Sequence, residues 1–333
     1  MPINMQKVIT FFTFILFLIS GCKTQIPAVI EPIINEKCKD LLYKKGMYDY
    51  FYIDKIYYNK YPVFDLYDTH KLYYFKEASQ TFQTAYLWNC NTLMTQNDSI
   101  MPLFLIRPAY INSNNILLGN YFTDIVFANT NDYSIYSFDS IHGIQVTWLE
   151  DNYIAFIERQ KMPNVPQGKS ILKIIKEDGT LVDTFENIRP YWTGLIGNTN
   201  GEIVYSKLVN QENKQAIMYL NTHTRKNDTL FKTSDFKQHM RHIAWNIANL
   251  NEIYWTCING IYKTNIQTKE TTQIKEGCTT KHYEYLAVSP NGKQIAAQRW
   301  DMEQMPDTVT IKRECNIYLM DIDGENEYKL NLD

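Results

Sequence analysis

The sequence lacks the signatures of several common protein classes. It has no CxxC pair and no cysteine–histidine cluster, which argues against a structural zinc site. With a net charge of -3 it has no polybasic tract for nucleic acid or lipid headgroups. No GxSxG elbow is present, and helical periodicity is almost absent beyond the N-terminal segment. These absences leave an all-β protein without recognisable hydrolase or metal motifs.

The N-terminal segment predicts export from the cytoplasm. Lys7 precedes an apolar run from Val8 to Ile19, which is too short and wrongly flanked to span a membrane. The following Ile-Ser-Gly-Cys resembles a bacterial lipobox, which implies a diacylated Cys22 at the mature N-terminus. The alternative is a plain secretory signal with an incidental cysteine. We therefore expect a lipoprotein signal peptide at 1–21, a lipidated N-terminus and tether at 22–46, and one folded domain at 47–333.

Five of the six cysteines follow Cys22, and they form an odd set in a compartment that permits disulfides. At least one thiol stays reduced unless chains pair with each other. The sequence leaves the pairing open among Cys38, Cys90, Cys257, Cys278 and Cys315.

A strand–turn–strand unit recurs along the chain. In "YLAVSPNGKQIAAQR", Tyr285 to Arg299, the Pro-Asn-Gly sequence predicts a tight hairpin between two short strands. Similar units, aligned on the residue before the turn, have a period of roughly 45 residues, as propeller blades do. The aligned residues are Phe64, Tyr110, Trp148, Trp192, Trp245 and Val288.

Each unit continues into a second, alternating strand pair, such as "NIYLMDIDGENEYKL" after Val288. We predict an all-β propeller of six four-stranded blades. Met47 to Tyr58 is apolar enough to form a further strand that pairs with the first or last blade, or a seventh partial blade. The aromatic residues, 25 tyrosines and 6 tryptophans, are explained by packing between blades, although carbohydrate stacking is an alternative.

The last unit resembles the repeat of TolB-like (WD40-like) β-propellers. "LAVSPNGKQIAA" followed by "NIYLMDIDGENEYKL" is similar to their Ser-Pro-Asp-Gly turn and Ile-Tyr-x-x-Asp strand, with Asn291 in place of Asp. The other units keep the Pro-x-aromatic start in part but have lost the turn. The resemblance implies a ring of blades around a channel that binds partners, in a lipoprotein of the bacterial cell envelope. It implies no particular partner.

Two further motifs are interpreted as a loop and a turn rather than as metal sites. His239 and His242 have HxxH spacing, but the segment lies between strands and lacks a third ligand, so we interpret it as a solvated loop. The run from Asp321 to Asn326 lacks the oxygen ligands of a calcium loop and is interpreted as a hairpin turn. We expect no metal site, no cofactor and no catalytic residue.

The predicted recognition surface is the rim at which the chain enters the innermost strand of each blade, called the upper rim below. The connections between second and third strands share this rim, so we expect long loops at Glu158–Gly168 and Gln298–Arg313 to extend it. Hydrogen-bonding residues occupy the position three before each aligned residue, and basic ones among them would attract an anionic group. The predicted rim residues are Tyr61, Arg107, Gln145, Arg189, His242 and Tyr285, with Arg159, Trp300 and Asp301 on the loops.

The sequence thus predicts a membrane-anchored, extracytoplasmic, monomeric propeller that acts as a noncatalytic binding or assembly module. Its partner would be an envelope protein or a glycan, and no nucleic acid is expected. The outer membrane is favoured over the inner one. The alternative is a glycan hydrolase or lyase whose catalytic residues are dispersed around the channel.

Overall fold

The computed structural model describes most of the chain after residue 115 and several strands before it. The described residues are 52–53, 62–64, 71–76, 81–87, 93–96, 116–121, 124–129, 135–149, 153–162, 165–186, 188, 190, 194–209, 214–233, 240–304 and 311–330. They belong to one unit, Asn35–Asp333. These residues form strands and turns, and no helix among them could span a membrane.

The described strands form six sheets, which we call blades 1 to 6 in chain order. Ahead of the first blade lies β1 (Tyr52–Ile53). Blade 1 consists of β2 (Pro62–Phe64), β3 (Lys71–Lys76), β4 (Thr81–Leu87) and β5 (Leu93–Gln96). Blade 2 consists, in the described residues, of β6 (Ile116–Tyr121), β7 (Asp124–Asn129) and β8 (Ile135–His142).

The remaining blades have four consecutive antiparallel strands each. Blade 3 consists of β9 (Ile144–Leu149), β10 (Tyr153–Met162), β11 (Val165–Lys176) and β12 (Leu181–Glu186). Blade 4 consists of β13 (Leu195–Gly197), β14 (Glu202–Val209), β15 (Lys214–Asn221) and β16 (Asn227–Lys232). Blade 5 consists of β17 (His242–Trp245), β18 (Glu252–Cys257), β19 (Gly260–Asn265) and β20 (Thr271–Glu276). Blade 6 consists of β21 (Lys281–Val288), β22 (Gln294–Gln304), β23 (Ile311–Asp321) and β24 (Tyr328–Lys329).

The first and last blades meet. Strand β2 of blade 1 contacts β21 and β22 of blade 6. Strand β1 adds to blade 6 in parallel with β23, where Tyr52 is the partner of Ile311. The predicted pairing of the segment from Met47 to Tyr58 with the last blade is confirmed for these residues. An N-terminal strand that completes the last blade removes part of its open edge.

The hairpin of the last blade forms as predicted. The Ser289 amide donates to the Gln294 carbonyl at 2.9 Å, and Gly292 has a φ of 67°. A Cβ atom at Gly292 would lie 2.8 Å from Oδ1 of Asn246 in the equivalent turn of blade 5. Glycine therefore serves both the turn conformation and the close approach of two blades.

The same hydrogen bond corrects the repeat alignment in blade 4. The Asn198 amide donates to the Glu202 carbonyl as Ser289 does to Gln294, so Gly197 corresponds to Val288. Trp192 was aligned with Val288 and lies five residues earlier. The position three before the aligned residue is therefore Gly194 and not Arg189. The spacing of this unit misled the alignment because its innermost strand is only three residues long.

The described residues of the two predicted loops belong to strands. Strands β10 and β11 remain paired to Met162 and Val165, and β22 and β23 remain paired to Gln304 and Ile311. Their polar residues hid this pairing, because a hairpin that extends beyond the blade core buries little apolar surface and loses the alternating pattern.

Aromatic and branched side chains fill the spaces between blades. Trp245 and Trp255 are fully buried in a cluster that joins blades 4 and 5. Trp255 stacks on Tyr262 with ring centroids 4.5 Å apart, and its Nε1 donates to Oγ1 of Thr264 at 3.0 Å. This agrees with the packing interpretation of the aromatic residues.

Ion pairs link outer hairpins of successive blades. Arg225, in the last turn of blade 4, contacts Asp183 of blade 3 at 2.8 Å and lies over the ring of Phe185. Lys269, in the corresponding turn of blade 5, contacts Asp228 of blade 4 at 3.0 Å. Both basic residues have positive φ, 57° and 62°, so the turn conformation directs each side chain toward the preceding blade.

Candidate functional site at the bulge of strand β21

A β-bulge interrupts the innermost strand of blade 6. Tyr283 pairs with Arg299, but the next pair joins Leu286 to Ala297. Two residues of β21, Glu284 and Tyr285, therefore oppose one residue of β22. Bulges occur often beside functional sites because they redirect a side chain out of the regular alternation.

The bulge brings Glu284 among basic and aromatic groups. Nε1 of Trp300 donates to Oε2 of Glu284 at 3.1 Å. The other oxygen, Oε1, lies 3.6 Å from Nε2 of His282 and 4.0 Å from Nη1 of Arg241. Burial raises the pKa of Glu284, but hydrogen bonding and charge from His282, with the charge of Arg241, outweigh it and hold this pKa below its usual range. Glu284 is therefore a carboxylate at neutral pH.

Blade 5 supports the bulge from the side. Oγ1 of Thr256 donates to the backbone carbonyl of Glu284 at 2.7 Å. The amide of Leu286 donates to Nδ1 of His242 at 3.5 Å, and the rings of His242 and Tyr285 lie 5.1 Å apart. Two neighbouring innermost strands thus fix one group of side chains, which we call the bulge cluster: Arg241, His242, His282, Glu284, Tyr285 and Trp300.

The structure brings together three of the predicted rim residues, His242, Tyr285 and Trp300. Gln145 lies in β9 of blade 3, with a φ of 53°. Arg159 belongs to β10, but its side chain lies outside the described residues, as do all of Tyr61, Arg107 and Arg189. His239, the first histidine of the HxxH motif, also lies outside the described residues.

Asp301 belongs to a strand and points into a buried network rather than lying on a loop. It accepts hydrogen bonds from Nε and Nη2 of Arg299, at 3.1 and 3.0 Å, and from the hydroxyl of Tyr318 at 3.1 Å. Arg299 also contacts Glu327 at 3.0 Å. This network lies on the side of blade 6 that faces blade 5, since Tyr283 and Ala297 of the same face pack against Tyr254.

The sequence missed Arg241, His282 and Glu284. Arg241 precedes a predicted rim residue, and His282 and Glu284 precede another by three and one positions. Their proximity to the rim positions was the one available signal. The contact among these residues depends on the bulge, and no residue pattern in β21 predicts the bulge.

Cys278 follows blade 5 and is disulfide-bonded, with its partner outside the described residues. Cys257 and Cys315 are buried thiols outside any disulfide. The disulfide answers part of the pairing question that the sequence left open.

Comparison with known proteins identifies the fold and nothing more specific. No family model and no curated protein sequence matches the chain. The structure is similar to one from a nidogen/laminin complex, with a TM-score of 0.54, 12% identity, and coverage of 75% of this chain and 89% of that one. It is also similar to TolB from Acinetobacter baumannii, with a TM-score of 0.51, 12% identity, and coverage of 81% of this chain and 62% of that one. A third similar structure, an oligogalacturonate lyase from Vibrio parahaemolyticus, has a TM-score of 0.48 at 11% identity, covering 82% of this chain and 77% of that one.

Together with the six sheets, the first two similarities show a β-propeller fold. The fold is that of TolB-like β-propellers, as the motif of the last blade predicted.

Proposed function

We propose that the protein is a noncatalytic binding module of the bacterial cell envelope, anchored outside the cytoplasm by lipid on Cys22. The lipobox-like sequence supports the anchor, and the similarity to a bacterial TolB fold supports the envelope. The disulfide at Cys278 supports export, because disulfides persist in oxidising compartments. The outer membrane is the proposed location.

The proposed recognition surface is the upper rim. The observation that carries the proposal is the bulge cluster, in which innermost strands of two blades hold charged and aromatic side chains that are partly exposed. The side chain of Arg241 is 43% exposed and that of Glu284 is 27% exposed. The surface comprises Arg241, Glu284 and the predicted rim residues Tyr61, Arg107, Gln145, His242, Tyr285, Arg159 and Trp300.

Basic residues at this rim would receive an anionic group of the partner. Arg241 precedes β17 and lies beside Glu284 of the next blade. His242 begins β17 and lies beside Tyr285 of the same next blade. An exposed guanidinium in such a position can form charge-assisted hydrogen bonds with a carboxylate or phosphate. Arg107 is proposed to add to the same potential.

The test is capture of the partner from the native envelope, with mass spectrometry and a thermal melt. The double variant Arg241→Ala, His242→Ala should lose about 2–5 kcal/mol of binding if both groups are desolvated in the complex. Arg225→Ala is the matched control, because Arg225 lies on an outer hairpin and its side chain is 58% exposed. Equal capture by the double variant and the control, with both folded, would move the binding surface away from the upper rim.

A further inference from the structure

Buried polar atoms without hydrogen-bond partners lie on one face of blade 6. In the described part of the chain they include Nδ1 of His282 and both amide atoms of Gln298. His282 is 7% exposed and Gln298 is 0% exposed. Burial of an unpaired polar group costs folding free energy, so such groups in a folded protein call for a partner that the chain does not supply.

These atoms lie close to the bulge. His282 pairs directly with Trp300 across β21 and β22. Gln298 precedes Trp300 by two residues and shares its face of the sheet, so it is a diagonal neighbour of His282. The bulge residues lie opposite Gln298. This face is turned away from the cluster that packs on blade 5, toward β2 of blade 1.

Glu284 lies beside these buried atoms and is more exposed to solvent than they are. The exposed fraction rises from 0% at Gln298 to 7% at His282, and the Glu284 side chain is 27% exposed. One carboxylate oxygen of Glu284 is held by Trp300. The other oxygen, Oε1, has His282 and Arg241 as ion-pair partners at 3.6 and 4.0 Å, and its remaining lone pair can accept a hydrogen bond from a ligand.

We propose that His282, Glu284, Gln298 and Trp300 form a binding site for a neutral, hydroxyl-rich ligand, a saccharide. We call these four residues the seam site. The inference rests on the proposed function and deepens it, because it assigns a glycan as the ligand at the upper rim.

The mixture of donors and acceptors selects this ligand class. A carboxylate or fully ionised phosphate only accepts hydrogen bonds, so it would leave the carbonyl oxygen of Gln298 without a donor and would be repelled by Glu284. A cation, whether a metal ion or an ammonium group, offers no acceptor, so it would leave the amide nitrogen of Gln298 unpaired and would lie near Arg241. Adjacent sugar hydroxyls both donate and accept. Trp300 is half-buried, and an indole ring can pack against the C–H groups of a sugar ring.

The experiment titrates the purified full chain with maltotriose, cellotriose and tri-N-acetylchitotriose, followed by calorimetry and tryptophan fluorescence. Triglycine and inorganic phosphate serve as the peptide and anion probes. At least one saccharide should bind, and Gln298→Leu should weaken its binding at least tenfold. The thermal midpoint of Gln298→Leu should not fall, because leucine removes the unpaired amide and nearly preserves the volume.

Gln215→Leu is the matched control. Gln215 lies in β15 of blade 4 and is also fully buried with an unpaired amide nitrogen. Its side-chain oxygen accepts a hydrogen bond from the Met240 amide. This variant should lower the thermal midpoint and leave the saccharide affinity unchanged.

Three results would overturn the inference. The first is the absence of a calorimetric or fluorescence response to any of the saccharides, and the second is binding of triglycine or phosphate in their place. The third is a lowered thermal midpoint of Gln298→Leu together with an ordered water bound to Gln298 in a crystal structure. The capture experiment tests the proposed function independently of the seam site. If capture depends on Arg241 and His242 but no saccharide binds, only the seam site is wrong. If a saccharide binds but capture of the partner does not depend on Arg241 and His242, the proposed recognition surface is wrong.

Discussion

The guanidinium of Arg299 lies 3.5 Å from the centroid of the Tyr318 ring. The same group forms ion pairs with Asp301 and Glu327, both at 3.0 Å. The side chains of Arg299 and Glu327 are only 7% and 5% exposed. A charge this deeply buried is tolerated because it is fully paired, so the network should respond strongly to the loss of one partner.

Replacement of Glu327 should destabilise the protein. Glu327→Ala leaves Arg299 buried with one fewer carboxylate and should cost about 3–5 kcal/mol in free energy of unfolding. Urea denaturation measures the loss. Glu314→Ala is the control, because the side chain of Glu314 is 42% exposed in its pair with Lys329 and should contribute about 0–1 kcal/mol. Similar losses in both variants would contradict the special role of the buried network.

Glu327 should also contribute to acid sensitivity. Burial raises its pKa, but the charges of Arg299 and Lys275 outweigh this and hold the pKa below the usual 4.5. The unfolded chain therefore takes up this proton at a higher pH than the folded one. The stabilisation is complete above the unfolded pKa and is lost as the pH falls through the folded pKa. Glu327→Gln should flatten the dependence of unfolding free energy on pH below about 4.5, and an unchanged slope would contradict this assignment.

Trp255 should be essential to the packing of blades 4 and 5. It is 0% exposed and contacts both Phe231 and Tyr262. Trp255→Ala should lower the free energy of unfolding by about 3–5 kcal/mol, because the cavity cannot be refilled. Leu181→Ala, at a side chain that is 55% exposed, should change it by less than about 0.5 kcal/mol. Denaturation curves for the two variants that coincide would exclude this contribution.

The Cys278 disulfide should stabilise the mature protein. Cys278→Ser should lower the free energy of unfolding by about 2–5 kcal/mol, since the cross-link restricts the unfolded chain. A reductant should destabilise the wild type by a similar amount and have little further effect on the variant. Thermal melts with and without reductant measure both effects. Equal sensitivity of the two proteins to reductant would place the relevant disulfide elsewhere.

Cys22 should carry the lipid. The thioether bond to diacylglycerol requires its sulfur, so Cys22→Ser should yield an unprocessed or unlipidated chain whose propeller still folds. Metabolic labelling with a fatty-acid analogue and a melt of the product provide the two readouts. Label in the variant at the wild-type level would show that Cys22 does not carry the lipid, and absence of label from both proteins would favour the plain secretory signal.

The sequence alone determined the class of fold. Alternating strands, short turns and the recurrence of a unit are local properties, because side chains on a strand alternate between its two faces whatever lies around them. The Pro-Asn-Gly hairpin of blade 6 and the apolar strand at Tyr52 could therefore be predicted, and both are found. The same local argument failed in blade 4, where the innermost strand is too short to show a pattern.

Only the tertiary structure decided which polar residues meet. Glu284 of blade 6 lies beside Arg241 of the adjacent blade 5 because a bulge displaces it by one residue, and hydrogen-bond register is a property of the paired strands rather than of either sequence. Asp301 was predicted on a loop, yet it pairs with the buried Arg299, because β22 continues through both residues and places them on one face. Position along the chain predicted the rim residues, and long-range pairing determined which of the described ones lie together.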